Sequence, residues 1–210
     1  DGSDRSQLFA MATQAKAALK VDKLEVVADR GYYKSKEILA CAESGIMVTL
    51  PKPQTSGSKA RGQFVKPDFR YVAVDDVYLC PAGEGLVYHF TNIEAGLTMR
   101  RYWSKACPTC AIKDQCTTAR ERRIRRWEHE DVLEDVERRL DEHPERMRQR
   151  RETVEHPFGT IKDWMGYTHF KTKTLKRVAT EMALHVLAYN LKRAMKIIGI
   201  GPLIAAMTPA

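Results

Sequence analysis

Two short runs constrain the fold more than anything else in this chain: LEVVA at 24–28 and IMVTLP at 46–51, both apolar almost throughout. Runs of this length between turn signals read as buried strands. The first ends at Asp29, after which Gly31 turns the chain into SKEILACAESG, a short helix pattern stopped by Gly45. Ahead of both runs, SQLFAMATQAKAAL (6–19) has helical apolar spacing in an Ala-rich background. Helix, strand, helix, strand in this order predicts an α/β core.

Beyond residue 51 the pattern changes. KPQTSGSKARGQFVK (52–66) is rich in Gly, Ser and Lys and reads as a mobile loop. RYVAVDDVYLC, LVYHF and TMRRYW then suggest a small antiparallel insertion that closes in the segment CPTCAIKDQC. Two helical stretches follow around Pro144, the first with Val132, Val136 and Leu140 at four-residue spacing. TLKRVATEMALHVLAYNLKRAMKII (174–198) predicts a long amphipathic helix with Gly199 as its stop. The expected parts are a partial core at 1–51, a β-rich insertion at 52–127 and C-terminal helices at 128–210 that complete the core. There is no internal repeat.

A chain of 210 residues, 43% hydrophobic and 30% charged, suits one soluble domain with a small insertion. Its formal charge of +8 favours polyanionic partners, nucleic acid first. No apolar run approaches the roughly 18 residues of a membrane span. DGSDRSQLF has neither an initial Met nor a signal segment, so it reads as the middle of a longer chain. Five cysteines without signs of secretion point to a reduced, cytoplasmic setting.

RRETVEHPFGTIK (150–162) poses the central chemical question. At about 100° per residue, Arg151, Glu155 and Lys162 fall within roughly 40° of one another on a regular helix. On a solvated face Arg151 and Glu155 would form an i,i+4 pair worth about 0.3–0.5 kcal/mol. Phe158 and Ile161 flank the same turn as core anchors, and Pro157 removes the donor that would bond Thr153. His156 adjoins Glu155 but points about 100° away. Asp29 ends a buried strand, where it either caps the next element or presents a functional carboxylate. Two such carboxylates suit Mg²⁺ or Mn²⁺, which take hard oxygen ligands. A metal pair about 3.5–4 Å apart serves phosphodiester chemistry, with Arg151 and Lys162 on the phosphates.

These residues resemble the DDE transposases of bacterial insertion sequences, the branch with the signature Tyr-x2-Arg-x3-Glu-x6-Lys. Arg151, Glu155 and Lys162 match its last three positions, ADRGY (28–32) is similar to its second acidic motif, and LAYNLKRAM (187–195) to its closing helix. The signature Tyr position holds Arg148. The resemblance implies an RNase H-like core, Asp29 and Glu155 as catalytic metal ligands, and metal-dependent strand cleavage and strand transfer. It also implies element-end and target DNA as partners, a homodimer or higher synaptic oligomer, and association with the nucleoid. The family's first catalytic Asp belongs on an earlier strand. The chain is therefore expected to be the C-terminal part of such an enzyme, its N-terminal strands missing, with little or no activity alone. Two alternatives stay open: a non-catalytic DNA-binding remnant, and a metal-dependent nuclease on the same fold.

Cys80, Cys107, Cys110 and Cys116 form C-x26-C-x2-C-x5-C, a pattern for structural Zn²⁺, with an iron–sulfur cluster or unmetallated buried thiols as alternatives. Cys41 falls on the apolar side of a short helix and reads as core. ARERRIRRW (119–127) places Arg122, Arg123, Arg125 and Arg126 where they could track a phosphate backbone, with Trp127 stacking on a base. The same stretch also fits a solvated helix face with its Trp in the core. Lys171 and Lys173 are further candidate DNA contacts, and His185 reads as a core histidine.

Overall fold

The computed structural model describes residues 4–53 and 57–207, so residues 54–56 of the expected loop lie outside the described residues. The chain falls into two compact units, Asp1–Glu142 and His143–Ala210. The first begins with α1 (Leu8–Leu19), β1 (Leu24–Val27), α2 (Ser35–Glu43) and β2 (Ile46–Thr49). β1 and β2 pair in parallel, Leu24 opposite Ile46 and Val27 opposite Thr49, as strands joined through a helical crossover can. Gly45, at φ +69°, makes the tight return from α2 into β2, a conformation that favours glycine. Leu8, Ile38, Cys41, Val48 and Leu50 pack into one core, so the apolar runs are buried as their composition requires. The described residues of 52–66 include two short turns, Lys59–Arg61 and Lys66–Asp68.

The insertion is a five-stranded antiparallel sheet in sequence order: β3 (Arg70–Val72), β4 (Val77–Leu79), β5 (Gly85–Glu94), β6 (Leu97–Trp103) and β7 (Ile124–Trp127). RYVAVDDVYLC is itself a hairpin, turned at Asp76 with φ +52°. The Asp76 carboxylate accepts the hydroxyls of Tyr71 and Tyr102, each at 2.7 Å, and pairs with Arg100. Burial alone would push its pKa up, but these donors hold it below the usual carboxylate range. Phe69, Tyr78, Leu86, Tyr102 and Ile124 form a second core on this sheet.

ARERRIRRW is not a helix. Its last four residues are β7, paired with β6, and Trp127 is 4% exposed within the first core. Arg126 is likewise buried, between the Tyr78 hydroxyl at 3.2 Å, the Glu134 carboxylate and the Tyr71 ring. Internal pairing is what allows so basic a stretch to be a strand.

The second unit opens with α4 (Glu145–Arg150), a wide π turn at Arg151–Glu155, α5 (His156–Gly159) and a second π turn at Thr160–Trp164. The predicted long helix is α6 (Leu175–Ile198), ended by Gly199 at φ +90° and followed by α7 (Ile200–Met207). Ile161, His185 and Tyr189 are buried in this unit, and the Tyr167 ring lies 3.5 Å from that of His185. Phe158 is not a core anchor: it is half exposed, as are Leu184, Leu187 and Leu191 of α6. Among the described residues no helix is long and apolar enough to cross a membrane.

Helix α3 (Glu130–Glu142) fastens the sheet to the α/β core. Leu133 and Val136 enter the first core, and the Arg139 guanidinium donates to the Val48 carbonyl at 3.0 Å. Glu130, 5% exposed, accepts the Trp127 amide at 3.0 Å and pairs with Lys66. Burial raises the Glu130 pKa, but Lys66, the Trp127 N–H and Lys52 together bring it below the usual range. For Lys66 burial wins instead and lowers the ammonium pKa despite the ion pair. Glu130→Ala leaves the half-buried Lys66 ammonium and the buried Trp127 amide without their acceptor and is expected to cost about 2 kcal/mol in a urea titration at neutral pH. Glu130's contribution is present above the ordinary Glu range and is lost as pH falls through its depressed value. The difference between the two proteins should therefore shrink in strong acid.

Candidate functional site

Asp29 stands where the parallel ladder ends. The Ala28 amide still bonds the Thr49 carbonyl at 3.0 Å, and Asp29 is the next residue, half-buried. Its Oδ1 accepts the Gly31 amide at 2.8 Å and so caps the turn Arg30–Tyr32. Capping and presentation are compatible, because a carboxylate has a second oxygen and further lone pairs. Gly31 matters here through close approach: a Cβ on it would fall 2.8 Å from Asp29 Oδ1.

Glu155 lies at the end of the first π turn and is exposed. Pro157 offers no N–H to the Thr153 carbonyl, so the regular ladder cannot run through this stretch. The chain widens around the defect, and Thr153 turns its own hydroxyl back to the Gln149 carbonyl. Widening also changes which side chains are neighbours. In a π turn the backbone hydrogen bonds join residues five apart. The Glu155 carboxylate is met by Arg150, with Nη1 at 2.9 Å from Oε1, and not by the i,i+4 residue Arg151. α-Helical spacing does not single out Arg150, because it pairs Glu155 with the residue four positions earlier. Pro157 is the signal in the chain that such spacing fails here. Arg151 and Lys162 are exposed, and Arg148 is exposed within 3.8 Å of Glu152. Among the described residues no group of three or more His, Cys, Asp or Glu side chains is disposed to hold a metal ion.

Compared with known families, residues 79–195 match the one described as "Transposase DDE domain". The chain belongs to this family. The match takes in the sheet from the end of β4, all of α3 to α5, and the Arg148, Arg151, Glu155 and Lys162 positions, and it begins past Asp29. No curated protein and no solved structure matches the chain.

The basic residues of this transposase domain are differently engaged. Arg122 is half-buried and donates to the carbonyls of Phe64 and Cys116, at 3.1 and 3.4 Å. Arg126 is internal, as described above. Arg123 pairs with Glu121 and lies over the Trp103 ring, and Arg125 is exposed beside Glu94 at 3.1 Å. Cys80, Cys107, Cys110 and Cys116 are half-buried free thiols, whereas Cys41 is fully buried in the first core.

Lys171 and Lys173 are exposed just before α6, on a loop held by a residue the sequence did not single out. Glu181 of α6 accepts the Lys171 amide at 2.9 Å and both the amide and hydroxyl of Thr172. The Lys171 N–H, followed by the Thr172 donors, pulls the Glu181 carboxyl down to about 2. The clamp is therefore complete at neutral pH and is lost only as pH falls through about 2. Glu181→Ala should speed hydrogen exchange at the Lys171 and Thr172 amides, while in the unaltered protein both stay protected at mildly acidic pH.

Gly31→Ala should force the Asp29 carboxylate off its cap and lower stability by about 1 kcal/mol in a urea titration. Unchanged stability and an unshifted Gly31-position amide resonance would mean that the close approach is not maintained in solution.

Proposed function

We propose that this transposase domain acts in metal-dependent DNA strand cleavage and strand transfer at the ends of an insertion sequence. In this reading the core is RNase H-like, and Asp29 and Glu155 supply two of the three carboxylates that the DDE pattern names. The observation that carries the reading is the presentation of Glu155. It stands on a π turn forced by Pro157, braced by Arg150, among exposed cations, within the stretch that matches the family. π turns inside helices are frequent at functional sites.

Both carboxylates are hard oxygen donors and reach solvent, which suits Mg²⁺ or Mn²⁺. When bound, the metal would activate the attacking oxygen and steady the leaving one. The chain's own residues do the rest. Arg150 orients the Glu155 carboxylate, Arg151 takes a phosphate as a fork, and Lys162 adds a point charge. Arg125 in the first unit, and Arg148, Lys171 and Lys173 in the second, are further phosphate contacts, with the salt dependence such contacts bring. Water and then a DNA 3′-hydroxyl serve as nucleophiles, so no protein nucleophile is required. DNA ends are paired by a dimer or higher assembly of the chain.

Mn²⁺ is the first probe. Titrated into the labelled protein, it should broaden NMR signals around both Asp29 and Glu155, and Asp29→Asn or Glu155→Gln should remove the effect at both. Broadening at one site alone would sink the shared role. Mg²⁺-dependent nicking of supercoiled plasmid, absent from both variants, would add the activity. Salt-sensitive DNA binding without nicking in the unaltered protein would make it a binding remnant, and nicking without joining would make it a nuclease.

A further inference from the structure

Four thiols from three separate turns meet at one end of the antiparallel sheet, and strand register is the reason. Leu79 pairs with Gly85 across the β4–β5 hairpin, and Val87 pairs with Trp103 across β5–β6. The start of β5 therefore lies beside the end of β6. The turn before β5, which carries Cys80, and the segment after β6, which carries Cys107, Cys110 and Cys116, must leave the sheet at the same end. Local turns aim them further. The Gly83 amide closes on the Cys80 carbonyl at 2.8 Å, the Cys110 amide on Cys107 at 3.3 Å, and the Cys116 amide on Lys113 at 2.9 Å.

All four cysteines line one small cavity of about 30 Å³, backed by Phe64, Phe69 and Leu86. The four thiols line the cavity but are not disposed as a formed metal site among the described residues. A second observation indicates what is to be held there. Arg122 lines the same cavity, and its Nε is buried with no hydrogen-bond partner. A buried guanidinium N–H left unsatisfied is costly, and a cluster of thiolates would satisfy it.

We propose that Cys80, Cys107, Cys110 and Cys116 bind one Zn²⁺ as a tetrathiolate, with Arg122 donating to a thiolate and offsetting the site's negative charge. The site is separate from the carboxylate chemistry proposed above. Zinc would draw the sulfurs to about 2.3 Å, and the thiol protons would leave to solvent. The result is a staple on the open end of the sheet, tying the Phe64 segment, the β4–β5 turn and the approach to β7 together. Arg122 then acts as a positioning residue of the metal site and not as a phosphate ligand.

The test begins with metal content. The full chain, purified under reducing conditions without chelator, should carry one zinc, released as four thiols are titrated with a mercurial. Replacing zinc by Co²⁺ should give the intense visible bands of a tetrahedral thiolate site. Arg122→Met should weaken zinc binding about 10–100-fold with the Co²⁺ spectrum preserved, and Cys110→Ser should weaken it further and alter that spectrum. Should Cys110→Ser fail to fold, the Co²⁺ spectrum of the unaltered protein still decides. A weak octahedral spectrum, metal-free protein with four freely reactive thiols, or iron with acid-labile sulfide would each overturn the proposal.

Discussion

The antiparallel insertion and the α/β core meet at Glu130, whose buried carboxylate takes the Trp127 amide and the Lys66 ammonium at once. It stands where β7 ends and α3 begins, so one side chain fixes the exit of the sheet, the start of the helix and the loop that precedes β3. Along the same helix Glu134 meets the buried Arg126, and Glu137 meets Lys52 at the surface. Buried ion pairs of this kind add little net stability over apolar contacts, but they are intolerant of losing one partner.

Much of this architecture was legible in the chain. The parallel pair followed from two apolar runs with a helix between them, and Gly45 and Gly199 ended helices where expected. The insertion's antiparallel character was visible in its short alternating runs. β7 was not, because a strand with Arg125 and Arg126 at its centre has the composition of a solvated face. Only the positions of Tyr71 and Tyr78, far off in sequence, and of Glu134 on the next helix make a buried Arg126 acceptable. The same limit governs the candidate site. Residue types and spacing singled out Asp29 and Glu155, whereas the cap on Gly31 and the brace from Arg150 depend on backbone geometry that α-helical periodicity does not encode.

Glu155 illustrates how a local defect can set chemistry. A regular helix would pair it with Arg151 and place both on one stripe. Pro157 denies the ladder a donor, two π turns absorb the change, and the neighbour becomes Arg150, whose side chain is largely covered. An arginine held in this way presents the carboxylate at a fixed angle and leaves Arg151 and Lys162 exposed for polyanions. The Lys171–Thr172 loop follows a similar logic in the same unit, with Glu181 spending its charge on backbone amides so that the adjacent lysines stay exposed.

The five strands of the insertion are ordered in space as they are in sequence. Most of its pairings join segments separated by a short turn, and only β6 to β7 spans a longer gap, the one that carries three of the four half-buried cysteines. Loop-closure entropy grows with separation, and chains rich in local pairings fold faster. The sheet can thus zip from hairpin to hairpin while the chain on either side is still searching. The last strand to join, β7, brings Trp127 and Glu130 with it, so completing the meander also delivers the anchor on which the α/β core closes.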